Sequence, residues 1–200
     1  MKNKFVMTPA QNRKFVRARL DDFLYAGMLL ARYDVTKEAV CDPSLLYEGS
    51  EEKTALLNFR DAYDYILENY DREADYDQLI DLHSILMRGL MDTYSNQLDG
   101  DQIRELNEMI DQPAKANTEI ALDVLLHILG KRLFTDGDVR VALMFANKIM
   151  VDKGNGFIVV IPEKKKEFRE KLKEFNETHD PLPFKDWLYA NCLRGKMNYD

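Results

Sequence analysis

The chain has 200 residues, 46% of them hydrophobic and 32% charged, with six prolines, a composition that suits one ordinary globular domain and does not indicate disorder. A net charge of −7 argues against a general nucleic-acid binder, which needs clustered Lys and Arg, and no run of about twenty apolar residues is available to span a membrane. Cys41 and Cys192 stand alone, with no CxxC pair or Cys/His cluster, which argues against a zinc site or disulfide framework and fits a reducing cytoplasm.

The start, MKNKFVMTPAQNRKF, is charged and lacks an apolar core of signal length. Within it Thr8, Pro9 and Gln11 set out a capping hydroxyl, a first-turn proline and a reciprocal amide, and Val16, Leu20, Phe23, Leu24 and Met28 follow at helical spacing. A shorter segment, 36–49, ends at Gly49. Leu56, Phe59, Tyr63, Ile66, Leu67 and Tyr70 make one apolar stripe, and Leu79, Leu82, His83, Leu86 and Leu90 a second, which predicts a packed helical pair over 54–70 and 77–90. His83, inside a stripe, reads as a partly buried histidine with its bonds satisfied. Residues 92–117 are polar, and Asp99-Gly100 is their strongest turn signal, so a loop or small hairpin is expected.

Helix 118–132 turns Leu122, Leu125, Ile128 and Leu129 inward and leaves His127 on its polar side. Asp123 and His127, at i and i+4, could share a metal, but no third ligand is evident. From Val141 to Val151 the chain is apolar on nearly every side, as a buried helix must be. Gly154 closes it, Asn155-Gly156 turns, and 157–161 predicts a short strand. Two helices, 163–177 and 184–194, complete the chain around Asp180-Pro181-Leu182-Pro183. Lys164, Lys165, Lys166, Arg169, Lys171 and Lys173 alternate with Glu163, Glu167, Glu170 and Glu174, the pattern of a solvated face. The expectation is an all-α fold of seven or eight helices in a single domain, 1–200, built around the 141–151 helix.

That central helix opens on Thr135-Asp136-Gly137-Asp138. A glycine turn at a helix N-terminus gathers backbone N–H groups and the positive end of the dipole, so it can hold a phosphate; Asp and Gly before a helix also make an ordinary cap. Local spacing leaves both readings open.

The wider frame adds a resemblance. The stretch RLFTDGDVR followed by VALMFAN resembles the signature of the Fic family, HPFxDGNGR with a second arginine three residues on, matching at Phe134, Asp136, Gly137 and Arg140 and at Asn147, where the family commonly has asparagine. SLLYEG, 44–49, is similar to the family's inhibitory pattern; NFRDAYDYI, 58–66, to the helix after it; LIDLHSILMRGL, 79–90, to the helix before the substrate flap; and PFKDWL, 183–188, to the closing helix. The order of segments agrees from about residue 12 to 194, as in cell-filamentation proteins whose inhibitory segment precedes the core.

The resemblance implies a Fic-like helical bundle around a buried motif helix, with motif loop and helix at 133–151, an inhibitory segment at about 36–50, and at most a small β-hairpin flap within 92–117 that binds a protein target by strand addition. The family's activity is transfer of AMP from Mg-ATP to a protein hydroxyl. Carried over, it makes Phe134, Asp136, Gly137, Asp138 and Arg140 nucleotide-binding, Asp136 the magnesium ligand, and Ser44, Glu48 and Gly49 regulatory. The departures are chemical. Arg132 stands where the family has its catalytic His, and a guanidinium with pKa above ~12 is no base at neutral pH. Asp138 replaces the amide beside the phosphates, Val139 the second glycine, and Leu143 the second arginine that pairs with the inhibitory Glu. Glu48 must then find Arg132 or Arg140, or lack its partner. The expectation is a degenerate Fic protein, impaired in AMP transfer and acting by nucleotide or partner binding. The alternative is a transferase of a phosphorylated group with altered chemistry, drawing on Asp136 and Asp138. Magnesium and ATP are expected only where the family's activity or binding persists, and neither nucleic acid nor a membrane is an expected partner.

Overall fold

The computed structural model describes residues 1–91 and 98–196. Helix α1, Pro9–Arg17, starts as its sequence requires: the Thr8 side chain accepts from Gln11 N–H and the Gln11 side chain bonds back to Thr8 N–H. The continuous helix expected as far as Met28 is instead two. Arg19 leaves helical geometry at φ −130°, and α2 runs Leu20–Leu30, so that Phe15 and Val16 on one helix and Phe23 and Leu24 on the next all reach the core.

The 36–49 segment is likewise shorter than its pattern. α3, Lys37–Cys41, is capped by Thr36, and Asp42 then turns extended because Pro43 follows it. A single 3-10 turn over Pro43–Leu45 carries the chain on to Gly49.

α4, Glu51–Glu68, and α5, Tyr76–Met87, are capped by Ser50 and Asp75 and pack as the expected pair. The polar stretch after them requires a correction. Among its described residues, 100–110 form helix α6, Gly100–Ile110, rather than a loop or hairpin. Asp99 is its cap, accepting from the N–H groups of Asp101 and Gln102, and Gln102 completes a capping box. Leu106 is fully buried, and Ile103, Met109 and Ile110 pack against the core. Residues 92–97 of the expected flap lie outside the described residues.

α7, Asn117–Lys131, and α8, Asp138–Asp152, make the most extensive helix contact in the fold. As its apolar run demands, α8 is central: every residue from Met144 to Val151 is buried. Two of these are polar and tie it to its surroundings. Asn147 donates to Ile158 O at 2.8 Å and accepts from Ile158 N–H at 2.6 Å. Lys148 donates to Asn69 O and Arg72 O, each at 2.7 Å, and to Asp152, closing the C-terminal end of α4.

Only Phe157–Ile158 of the expected 157–161 strand forms β1, pairing antiparallel with β2, Leu193–Arg194. α9 spans Lys165–Thr178, and α10, Leu182–Asn191, stops short of the expected 194 because the residues after it join β2. The fold is all-α, with ten α-helices and one two-residue pair among the described residues, around one continuous apolar core. No helix among the described residues is long and apolar enough to cross a membrane.

Candidate functional site

The turn between α7 and α8 is built from both of its ends. Arg132 ends α7 in the left-handed conformation, φ 49° and ψ 58°, with its side chain exposed. Leu133 and Phe134 then turn inward. Phe134 lies flat on the His83 ring, centroids 4.1 Å apart and planes 9° from parallel. The Nε2 of His83 bonds to Asp136 O at 2.9 Å, so this histidine of α5 pins the turn from below. Burial lowers its pKa, and with Nε2 facing a carbonyl the neutral ring carries its proton there.

Gly137 takes φ +85°, and a side chain there would meet Met87 Sδ at 2.7 Å. The position demands glycine twice over. Its N–H donates to Asp136 Oδ1 at 2.6 Å, and its carbonyl accepts the first bond of α8 from Val141. No side chain caps α8, so its first amides and the positive end of its dipole lie at the turn. Asp138 is drawn into the loop, accepting Phe134 N–H at 3.0 Å. Burial pushes its carboxyl up to about 6, against the pull of that bond and of Arg132.

Arg140, on the first turn of α8, has a side chain 13% exposed. Its Nη2 lies 3.7 Å from Asp136 Oδ1 and its Nη1 donates to the Tyr33 hydroxyl at 3.4 Å. That hydroxyl donates in turn to Glu51 Oε1 at 3.3 Å. Beside Arg140 lies a small apolar cavity of about 40 Å3, lined among others by Phe59, Val139 and Leu143.

Phe134, Asp136, Gly137, Asp138 and Arg140 therefore meet in one loop, with Arg132 at its entrance. The positions expected to be regulatory, Ser44, Glu48 and Gly49, do not join them. Glu48 is exposed and paired with Lys53, not with Arg132 or Arg140. Ser44 donates to Asp42 at 2.7 Å, and Gly49, φ +78°, faces open space.

His127 lies on the polar side of α7, facing Glu105 and Lys131, but α6 covers it: its side chain is 7% exposed, and Nδ1 lies 3.8 Å from Glu105. Asp123 binds Lys115 at 2.8 Å and Lys185 at 2.5 Å, so the i, i+4 pair is committed elsewhere. Among the described residues no group of three His, Cys, Asp or Glu side chains could hold a metal. Tyr33, Glu51 and Met87 were not indicated by the sequence. Their only trace was a tyrosine past a helix end and an acid at a helix start, both common features.

No protein-family model and no curated protein matches the chain. Solved structures do. A fragment of Fic-1 from C. elegans superposes with a TM-score of 0.71 at 14% identity, and a variant of that fragment with 0.72 at 14%, in each case over 94% of this chain and 64% of that one. A Fic domain containing signaling protein from Bacteroides thetaiotaomicron gives 0.70 at 16%, over 92% of this chain and 86% of that one. The chain has the Fic fold. It spans just under two thirds of the length of the C. elegans fragments.

Proposed function

We propose that this is a degenerate Fic-fold protein that binds a phosphate-bearing ligand, a nucleotide above all, at the 132–140 turn and is impaired in AMP transfer. The observation that carries the reading is a glycine turn at the uncapped start of α8, with the guanidinium of Arg132 where the Fic signature has its base. Gly137 exposes the start of α8, and Arg140 supplies a planar cation beside it. Arg132 cannot take a proton from a target hydroxyl, and the nearby His83 already spends Nε2 on Asp136 O. The exposed Asp136 carboxylate at the mouth is a hard oxygen ligand that fits magnesium, which binds through one or two carboxylates plus substrate phosphates. When bound, the ion would neutralise phosphate charge. Leu143 supplies no second cation, and Asp138 adds an acid, so the site suits fewer phosphate charges than a triphosphate carries. Two free thiols, Cys41 exposed and Cys192 buried, support a cytoplasmic setting as part of the same reading. A protein partner at the 92–117 region is part of the same proposal, though with 100–110 in α6 the strand addition expected of a flap does not apply to that helix.

Calorimetry with Mg-ATP, Mg-ADP and Mg-AMP tests the binding half: saturable heat is expected, and its loss in Arg140→Ala. Incubation with α-labelled ATP and cell lysate tests the other half. Robust magnesium-dependent labelling that disappears in Asp136→Ala would overturn the impairment. A second reading, transfer of a different phosphorylated group, draws on two carboxyls held at one helix mouth. It predicts turnover of some nucleotide donor that Asp138→Asn abolishes, and silence across a donor panel with folded protein would remove it.

A further inference from the structure

Arg140 is held by a relay that begins outside the motif. α2 ends with Arg32 in the left-handed conformation, φ 72°, its N–H on Leu29 O and the next N–H, that of Tyr33, on Met28 O. Two bonds of this pattern fix the residue after the left-handed one, here Tyr33. Its hydroxyl has one proton, donated to Glu51 at 3.3 Å, which leaves its lone pairs for Arg140 Nη1 at 3.4 Å. Glu51 is the first residue of α4, where the helix dipole favours a carboxylate. Burial raises the Tyr33 pKa, offset by Arg140 and reinforced by Glu51, so the phenol keeps the proton that the relay needs. Beside Arg140 lies the mostly apolar cavity lined by Phe59, Val139 and Leu143.

We infer that Tyr33 and Glu51 are positioning residues for Arg140: the hydroxyl, oriented by Glu51, fixes Nη1 and thereby aims the remaining guanidinium donors at the mouth of the turn beside Asp136. This rests on the reading of that turn as a phosphate site, and one experiment separates the two. Wild type, Tyr33→Phe, Glu51→Gln and Arg140→Ala are compared for binding of inorganic pyrophosphate by calorimetry and for the rate at which phenylglyoxal modifies Arg140, read by peptide mass spectrometry. Tyr33→Phe is expected to weaken pyrophosphate by about fivefold, the scale of one lost hydrogen bond, and to speed modification of Arg140 by about threefold or more. Glu51→Gln, on an exposed residue, should move both in the same direction by less, and it serves alone if Tyr33→Phe does not fold. Unchanged Arg140 reactivity in both variants overturns the relay. Binding that needs Arg140 but ignores Tyr33 and Glu51 also overturns it, leaving the phosphate site standing. Faster modification with no pyrophosphate bound by wild type keeps the relay and removes the phosphate reading.

Discussion

At the scale of single residues the turn is over-determined at Gly137. Its φ of +85° costs an L-residue roughly 1 kcal/mol, and its missing Cβ makes room for Met87 Sδ and, at 3.6 Å, for His83 Nε2. Gly137→Ala should therefore lose about 1–3 kcal/mol in chemical denaturation, strain and contact together. It should also shift the His83 ring resonances, because that ring reports on the Asp136 carbonyl. A variant as stable as wild type, with His83 unmoved, would show that the turn relaxes freely. The four matched motif residues were legible because spacing along one chain segment preserved them. Tyr33 was not, since its bond to Arg140 spans 107 residues and nothing local marks it. Arg132 was legible as a departure from the pattern, but its left-handed backbone, closing α7 where glycine is usual, was not.

At the scale of elements, α6 shows how one signal serves two structures. Asp99-Gly100 reads as a turn because both residues favour non-helical geometry, and the chain is indeed non-helical at Asp99; the residues beyond Gly100 decide the rest. Gln102 completes a capping box with Asp99, and Ile103, Leu106 and Ile110 fall on one face. With its outer face polar, the stripe is too sparse to outweigh the turn signal. α6 also explains His127, which no single-helix pattern could place under a second helix. Asp99→Ala removes the acceptor for two amides and should cost about 1 kcal/mol. By hydrogen exchange the loss should appear as faster opening across 100–110, with α8 unchanged. Equal protection in the variant would mean that packing of Leu106, not the cap, holds the helix. The opposite case is α8, whose position at the centre was legible from its apolar run alone.

At the scale of the whole molecule, the helices order themselves around α8, and the sequence pattern did not show what fastens them there. A lysine within an apolar run looks like a snorkelling surface residue, yet Lys148 has no exposed surface and joins the end of α4 to Asp152. Breaking such a pair leaves the partner's charge buried. Lys148→Met should cost roughly 3–5 kcal/mol in denaturant unfolding, and Lys148→Met with Asp152→Asn should cost less than the single change. The pH dependence follows from Asp152. Burial pushes its carboxyl up to about 6, opposed by Lys148, from an ordinary value of 3.8. Between those values the folded state holds the extra proton, so this group's contribution to stability falls as pH rises through that window and is flat above it. Without Lys148 the carboxyl rises further, and the variant's deficit is present in full at pH 8 and shrinks as protonation removes the buried charge toward pH 5. A deficit that instead grows as the pH falls would show that Asp152 is not the charge left behind. In either protein a single cooperative transition is expected, because α8 and its fastenings belong to one continuous core, and two separated transitions would divide the chain into independent units.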